Sequence, residues 1–514
     1  MTLHNASWLI VKRVNRHLRS GLLLAAAGSL AACATSALEN APEHPATPWK
    51  PKGEQAVEAP GGAPSFSVAP QPEVAGLEAT PDISSKRAYD LPELIDVAQN
   101  RNPTTRLAWQ QARQAALSEG MVAATYLPVI SASVIGGRQR VGGSVDNALP
   151  GLRDPSVTVG GVTPTVTLQW LLFDFGQRRA LHDAARHNSA AANVLFNGAH
   201  QKIIFDVTRA YFLYGAARSR VRIATQTLGN SQAIEAAAAD RMEKGLGNTV
   251  EVAQAKQQVA QARFGLVQAQ GAERGAYQAL LGAMGVSPMT QMQIRDASGR
   301  ALSANFQAPT DAAIRAALAR RPDVLASYAA MKASRAGVAA AESEFMPKVF
   351  LSAVAASGSN SLSTTGLPTI GQQGSTTGFL VGATMPIYDG GLRAAQLRKA
   401  EALADSGETT FNRVKNDAVR EIIVASDTLR SALASYKAAS ALADAARVTY
   451  DAAFAAWKSG VGSITAATAA DSGLLVARQA QADAHAASLV AAANLAFVLG
   501  AMTSRDTASG LMHR

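Results

Sequence analysis

Few residues in this 514-residue chain have the type and spacing that catalysis or metal binding requires. The eight histidines are scattered: His4 and His17 lie near the start, His44 in a proline-rich stretch and His513 beside the end. His182 and His187 stand five apart, off a common helix face, and do not make a metal pair. Asp174 and Asp389 are the acids whose places draw notice. Each precedes a helix start, where a carboxylate caps the helix and answers its dipole. No phosphate-cradling glycine loop, nucleophile elbow or HExxH pair occurs in the sequence. The sequence therefore reads as a protein that is not an enzyme, binds no metal and needs no cofactor.

One residue does have a chemistry waiting for it. Cys33 is the only cysteine, which rules out a disulfide and a thiolate metal site. It follows a basic stretch (Lys12, Arg13, Arg16, Arg19) and an apolar run, Gly21 to Ala32, too short to span a bilayer as a helix. Leu30-Ala31-Ala32-Cys33 resembles the bacterial lipobox, in which the thiol is lipidated and the cysteine becomes the mature N-terminus. A plain signal peptide with an incidental cysteine is the alternative. Ala34, rather than Asp, after the cysteine favours sorting to the outer membrane. Residues 1–32 are thus expected to be a signal and 33–86 a lipidated Pro/Ala-rich tether. Nine of the 21 prolines fall between Pro42 and Pro81, a composition that buries too little apolar surface to order itself. Without the four basic residues of the signal the formal charge falls from +10 to +6, modest for this length. The remaining basic residues lie along helices without interleaved aromatics, so no nucleic-acid partner is expected.

Beyond the tether a single unit occurs twice. Gly176 to Gly245 spans 69 residues, and so does Gly391 to Gly460. Both stretches are rich in Ala, Arg, Gln, Leu and Lys, which favour helix, and a helix of that length reaches roughly 100 Å. Pro103 and Pro322 lie 219 apart, as do Pro128 and Pro347, and Leu281-Gly282-Ala283-Met284 matches Leu499-Gly500-Ala501-Met502. The repeats are expected over 87–284 and 310–502, with a connector at 285–309 and a tail at 503–514. Each begins with a half-length helix ended by Pro128 or Pro347. In the first, residues 129–135 read as a strand, 136–164 as a Gly/Asp/Pro-rich loop and 165–172 as a strand alternating apolar with polar. Trp170 and Phe173 suit a membrane-interface girdle. In the second, the strands fall at 349–354 and 379–387 around a loop at 357–377. Two strands per repeat give four. Since closure takes about eight and a membrane tolerates no open edge, several chains must pool strands.

Half-helices at 91–126 and 250–283, then at 310–345 and 465–500, have combined lengths that match the long rods. Stacked end to end, they would pair with the rods over their whole length. Val419, Ile422, Ser426, Leu429, Leu433 and Tyr436 form a coiled-coil seam, which a soluble helical bundle would explain equally well. Glycines inside the helices (Gly198, Gly215, Gly265, Gly271, Gly407, Gly473) are expected where helices pack closely.

The duplicated Leu127-Pro128 and Met346-Pro347, Phe173-Asp174-Phe175-Gly176 and Tyr388-Asp389-Gly390-Gly391, together with the glycine turns, make residues 87–502 resemble the outer-membrane factor family, the TolC type of channel-tunnel. The fold class is then mainly α with a β-barrel part. The resemblance implies a homotrimer with a twelve-stranded barrel in outer-membrane lipid and a twelve-helix periplasmic tunnel. Its tips, Gly245-Leu246-Gly247-Asn248 and Gly460-Val461-Gly462-Ser463, would dock a membrane-fusion adaptor belonging to an inner-membrane pump. A carboxylate gate ring known in the family is replaced by Ala466 and Ala469, and its basic residue by Gly462. Glu251 is the acid left for a ring, and Trp457 the candidate plug. The implied function is export of small toxic compounds or drugs through a tripartite system. A type I protein-secretion duct and a non-pore periplasmic coiled-coil adaptor lipoprotein are the alternatives.

Overall fold

The computed structural model describes residues 41–42, 44–46, 49, 66, 70–76, 83–142, 156–296, 299–302, 306–364 and 368–502. The expected signal, Cys33 and the 503–514 tail lie outside them. The chain divides after Ala79. Of the first unit, the described residues show one 3-10 turn, Pro72–Val74.

The second unit is built on two helices, α3 (Gln177–Glu243) and α7 (Leu392–Lys458), each 67 residues long. Both start at a left-handed glycine, Gly176 (φ 97°) and Gly391 (φ 88°), and both end at another, Gly245 and Gly460. Asp174 accepts hydrogen bonds from the backbone N–H of Gly176 and Arg178, and Asp389 from those of Gly391 and Arg393. These are the capping roles the sequence assigns to the two acids.

Shorter helices lie alongside. They are α1 (Leu91–Arg101), α2 (Pro103–Ala124) and α4 (Thr249–Met284) in the first repeat, then α5 (Asp311–Leu318), α6 (Pro322–Ser343) and α8 (Ile464–Val498) in the second. They stack end to end, as their lengths require. At one joint Asn102 caps α2 through Thr104 N–H and donates to the Ala283 carbonyl at the end of α4. Gly285 (φ 69°) sits so close that a Cβ there would lie 2.8 Å from Asn102. At the equivalent joint Arg321 donates to the Val498 carbonyl and pairs with Asp323 and Glu421. The seam is present: Ile422, Ser426 and Leu429 are buried, with Val419, Leu433 and Tyr436 half-buried beside them. Close packing accounts for Gly198, which faces Pro322 at 3.0 Å, and for Gly407, which faces Ser334. At Gly215, Gly265, Gly271 and Gly473 there is open space, so the expectation fails there.

Two short strands were not anticipated. β1 (Ala88–Tyr89) pairs in parallel with β4 (Gln293–Ile294), tying the connector to the start of the first repeat. Two-residue strands carry no periodicity for a sequence reading to find. Arg218 donates to the Ile294 carbonyl and Tyr211 to that of Arg295, fastening the connector to α3.

The main sheet has four antiparallel strands in the order β2 (Val129–Gly142), β3 (Ser156–Phe173), β5 (Lys348–Thr364) and β6 (Ile370–Thr384). It corrects the expected loops at 136–164 and 357–377, since both are largely strand. Two of the glycines read as loop signals, Gly161 and Gly358, mark close approach instead. A Cβ on Gly161 would lie 2.4 Å from the Ser359 carbonyl oxygen, and one on Gly358 would lie 2.8 Å from Thr163. Pro164, which has no N–H to give, falls where the β3–β5 pairing skips two residues, so the strand continues past it.

The register sorts the sheet into two faces. Ile130, Val166, Leu168, Trp170, Leu351, Phe379 and Val381 share one side, while Ser131, Thr165, Thr167, Gln169 and Ser352 share the other with a few apolar residues, Val129, Val354 and Leu380 among them. Ser131 and Thr167 are hydrogen-bonded at 2.7 Å on the polar side. The apolar side is bare, with Phe379 82% exposed. Strands of 14 to 18 residues exceed the roughly 9–11 that cross a bilayer. Within the chain, β2 and β6 each leave one edge unpaired among the described residues.

Candidate functional site at the paired helical tips

The turn from α3 to α4 and the turn from α7 to α8 are built alike. After the left-handed Gly245, Leu246 N–H bonds the Arg241 carbonyl at 2.8 Å; after Gly460, Val461 N–H bonds that of Ala456 at 3.0 Å. Glycine fits best at the next position, since a Cβ on Gly247 would lie 3.1 Å from Met242 N and one on Gly462 3.0 Å from Trp457 N. Asn248 then caps α4 by accepting from Glu251 N–H, and Ser463 caps α8 by accepting from Ala466 N–H. Between the paired glycines each turn displays one aliphatic side chain. Leu246 is 67% exposed and Val461 84%.

Beneath the turns the two hairpins are joined. Trp457 is 1% exposed and packs with Ile234, Ala238, Ala255, Ile464 and Ala467 in a core separate from the main one. This corrects the expectation of a plug. An indole enclosed by its own chain does not project into a shared lumen. It is the keystone between α3–α4 and α7–α8.

Arg241, over the Trp457 ring at 6.0 Å, donates to the carbonyls of Leu246 and Lys458, one on each hairpin. Glu251 turns back toward the first tip: its Oε2 is buried and lies 3.2 Å from where a Cβ on Gly247 would be.

Two turns deeper, Asp471 on α8 is fully buried. It accepts from Asn230 and Ser231 on α3, at 3.1 and 2.9 Å. Burial pushes its carboxyl above the ordinary range, against those hydrogen bonds and the Arg478 charge. The tip residues named from sequence are thus brought together in two matching turns. The residues that join them, Arg241 and Asp471, carried a weak signal at best: Asp471 is the one acid in an Ala-rich stretch from Ile464 to Ala482.

At the opposite end of the long helices a second paired device holds the sheet. Arg178, buried, pairs with Asp174 at 2.9 Å and donates to the carbonyls of Thr125, Leu171 and Leu172. Its guanidinium lies 4.8 Å from the Tyr126 ring centroid. Arg393 repeats the pairing with Asp389, over Phe345. The spacing Asp-x-x-x-Arg in both repeats was visible in the sequence. Its partners, strand and helix-end carbonyls, were not.

A sheet with one face fit for lipid, standing at one end of two helical hairpins of roughly 100 Å, defines an outer-membrane channel of the tunnel type. The chain belongs to the outer membrane efflux protein family, which it matches over residues 94–286 and 313–501. It is 28% identical to outer membrane protein OprJ of Pseudomonas aeruginosa over 376 residues, 72% of this chain and 76% of that protein. To protein CyaE of Bordetella pertussis it is 26% identical over 408 residues, 78% and 83% of the two chains. The solved outer-membrane channel OprN superposes with a TM-score of 0.68 at 21% identity, over 80% of this chain and 90% of that one. Among the described residues no helix is long and apolar enough to cross a membrane.

Proposed function

We propose that three copies of this chain join β2 of one to β6 of the next, closing a twelve-stranded barrel. Below it the helices form one tunnel, the outer-membrane duct of a tripartite pump that exports small toxic compounds. The observation that carries the reading is a sheet with an apolar face suited to lipid and, among the described residues, two open edges, since open edges do not survive in a membrane unless neighbouring strands pair with them. Leu246 and Val461, raised on rigid glycine-flanked turns, form the apolar knobs of an adaptor-docking surface. Three copies of Glu251 supply the acid ring at the entrance. Cys33 is the lipidated N-terminus, and Cys33→Ser abolishes acyl labelling in cells; labelling that survives the substitution contradicts lipidation at this residue. Docking is tested with the double variant Leu246→Asp, Val461→Asp. Export is lost while trimer abundance stays normal. Full resistance in that strain rejects the docking surface.

A further inference from the structure

We propose that a groove between α3 and α8 binds a small organic acid, a carboxylate or sulfonate on a flat apolar body. The cavity holds about 350 Å³ and is roofed at one point by Tyr436 of α7. That is at the small end of ligand pockets, which run to roughly 300–1,000 Å³. Its floor is made of small residues from both helices, Gly215 and Ala216 facing Ala482 and Ala486. No heavy atom lies within 4 Å of where a Cβ on Gly215 would be. Glycine in a helix interior costs about 1 kcal/mol against alanine, and at Gly215 the missing side chain leaves room in the groove.

The polar lining is one-sided in charge. Arg222 and Arg478 line the groove with Gln226, Gln481, Ser219 and His485, and among the described residues no carboxylate does. Arg478 donates to the neutral Gln226 and forms no salt bridge among the described residues, so its charge is not cancelled at contact. The buried Asp471 acts on it only at a distance. Arg222 donates to Ser219 and stands 3.6 Å from Asp296 of the connector. His485 Nε2 lies 2.7 Å from the Arg300 carbonyl, which can only accept, so Nε2 carries the hydrogen. Its ring meets that of Tyr436 at 5.3 Å. Apolar walls from Phe212, Ile223 and Leu489 complete the site. Guanidinium groups match the two oxygens of a carboxylate, while the aromatic and aliphatic walls take a flat body. This site is some way from the tips, and it does not depend on which pump the duct serves.

Titration calorimetry of the detergent-solubilised full chain tests it, with 2-naphthoate as probe and 2-naphthalenemethanol as its uncharged counterpart. Naphthoate is expected to bind one site per chain, and the alcohol at least about tenfold more weakly. Arg478→Gln removes the charge, and Gly215→Leu fills the cavity while keeping every charge. Each lowers naphthoate affinity by about tenfold or more. Naphthoate binding that neither variant weakens, equal binding of the alcohol, or no binding at all by the wild-type chain overturns the proposal. A tenfold preference for 1-naphthyl phosphate over naphthoate overturns the assignment to organic acids.

Discussion

Trp457→Ala removes the largest fully buried side chain of the tip, and its effect follows from where that side chain sits. A buried tryptophan cut to alanine costs about 3–5 kcal/mol. The small core around it touches both hairpins and is separate from the main core, so the loss falls on the tip and not on the whole bundle. At 1.36 kcal/mol per decade, 4 kcal/mol raises the population of the locally open tip by about a thousandfold. Arg241 loses the ring beneath it and, with it, the geometry that reaches both Leu246 and Lys458. Amide hydrogen exchange across 240–247 and 455–462 should therefore quicken by two to three decades, about 10²–10³-fold, with new tryptic cleavage after Arg241, Lys244 and Lys458. Exchange in the main core around Val207, Leu281 and Leu489 should stay unchanged. Trp457→Phe, which keeps a ring against Phe454, should give a much smaller effect. Unaltered tip exchange in Trp457→Ala would refute the keystone role, and uniform loosening of the whole bundle would refute the separation of the two cores.

Asp471→Asn should flatten the pH dependence of melting. The folded carboxyl is raised by burial, so the wild type is least penalised below the ordinary carboxylate value of about 4 and loses stability as pH rises from there through the raised value. A melting difference between variant and wild type that is the same at pH 4 and pH 8 contradicts this. Arg178→Ala leaves Asp174 buried and unpaired and releases the carbonyls of Thr125, Leu171 and Leu172, a loss of about 3–5 kcal/mol at the junction of sheet and helices. Less heat-resistant trimers on gels are expected, and Arg178→Lys should not restore them, because one ammonium cannot reach three carbonyls and a carboxylate. If Ala466 and Ala469 stand where the family resemblance puts gate acids, block of the pore by trivalent cations is weak, and Glu251→Gln removes what block there is. Tight block that is indifferent to Glu251→Gln would show that other acids make the ring.

The helical part was legible because glycine, proline and capping residues punctuate it at equal intervals. Both 69-residue intervals contain helices of 67 residues, and the tip residues fall in turns of matching design. The strand limits were less legible. Antiparallel pairing is a backbone property, and Gly161, Gly358 and Pro164 each have a local reason to sit in a strand that composition does not reveal. Trp457, expected from the sequence as a plug, is enclosed by its own chain. Which side of α7 is buried depends on how it meets α3, α4 and α8, and no single helix carries that information. Arg241 and Asp471 give little signal in the sequence for the same reason, since the partners that join the two hairpins lie 217 and 240 or more residues away.

Single-channel recording of the purified full chain in a planar bilayer tests the central claim most directly. Three pooled sheets around a continuous tunnel predict discrete, uniform conductance steps from trimeric material, with larger steps after Trp457→Ala loosens the tips. A trimer that inserts into the bilayer and passes no current, before or after that substitution, would contradict the account.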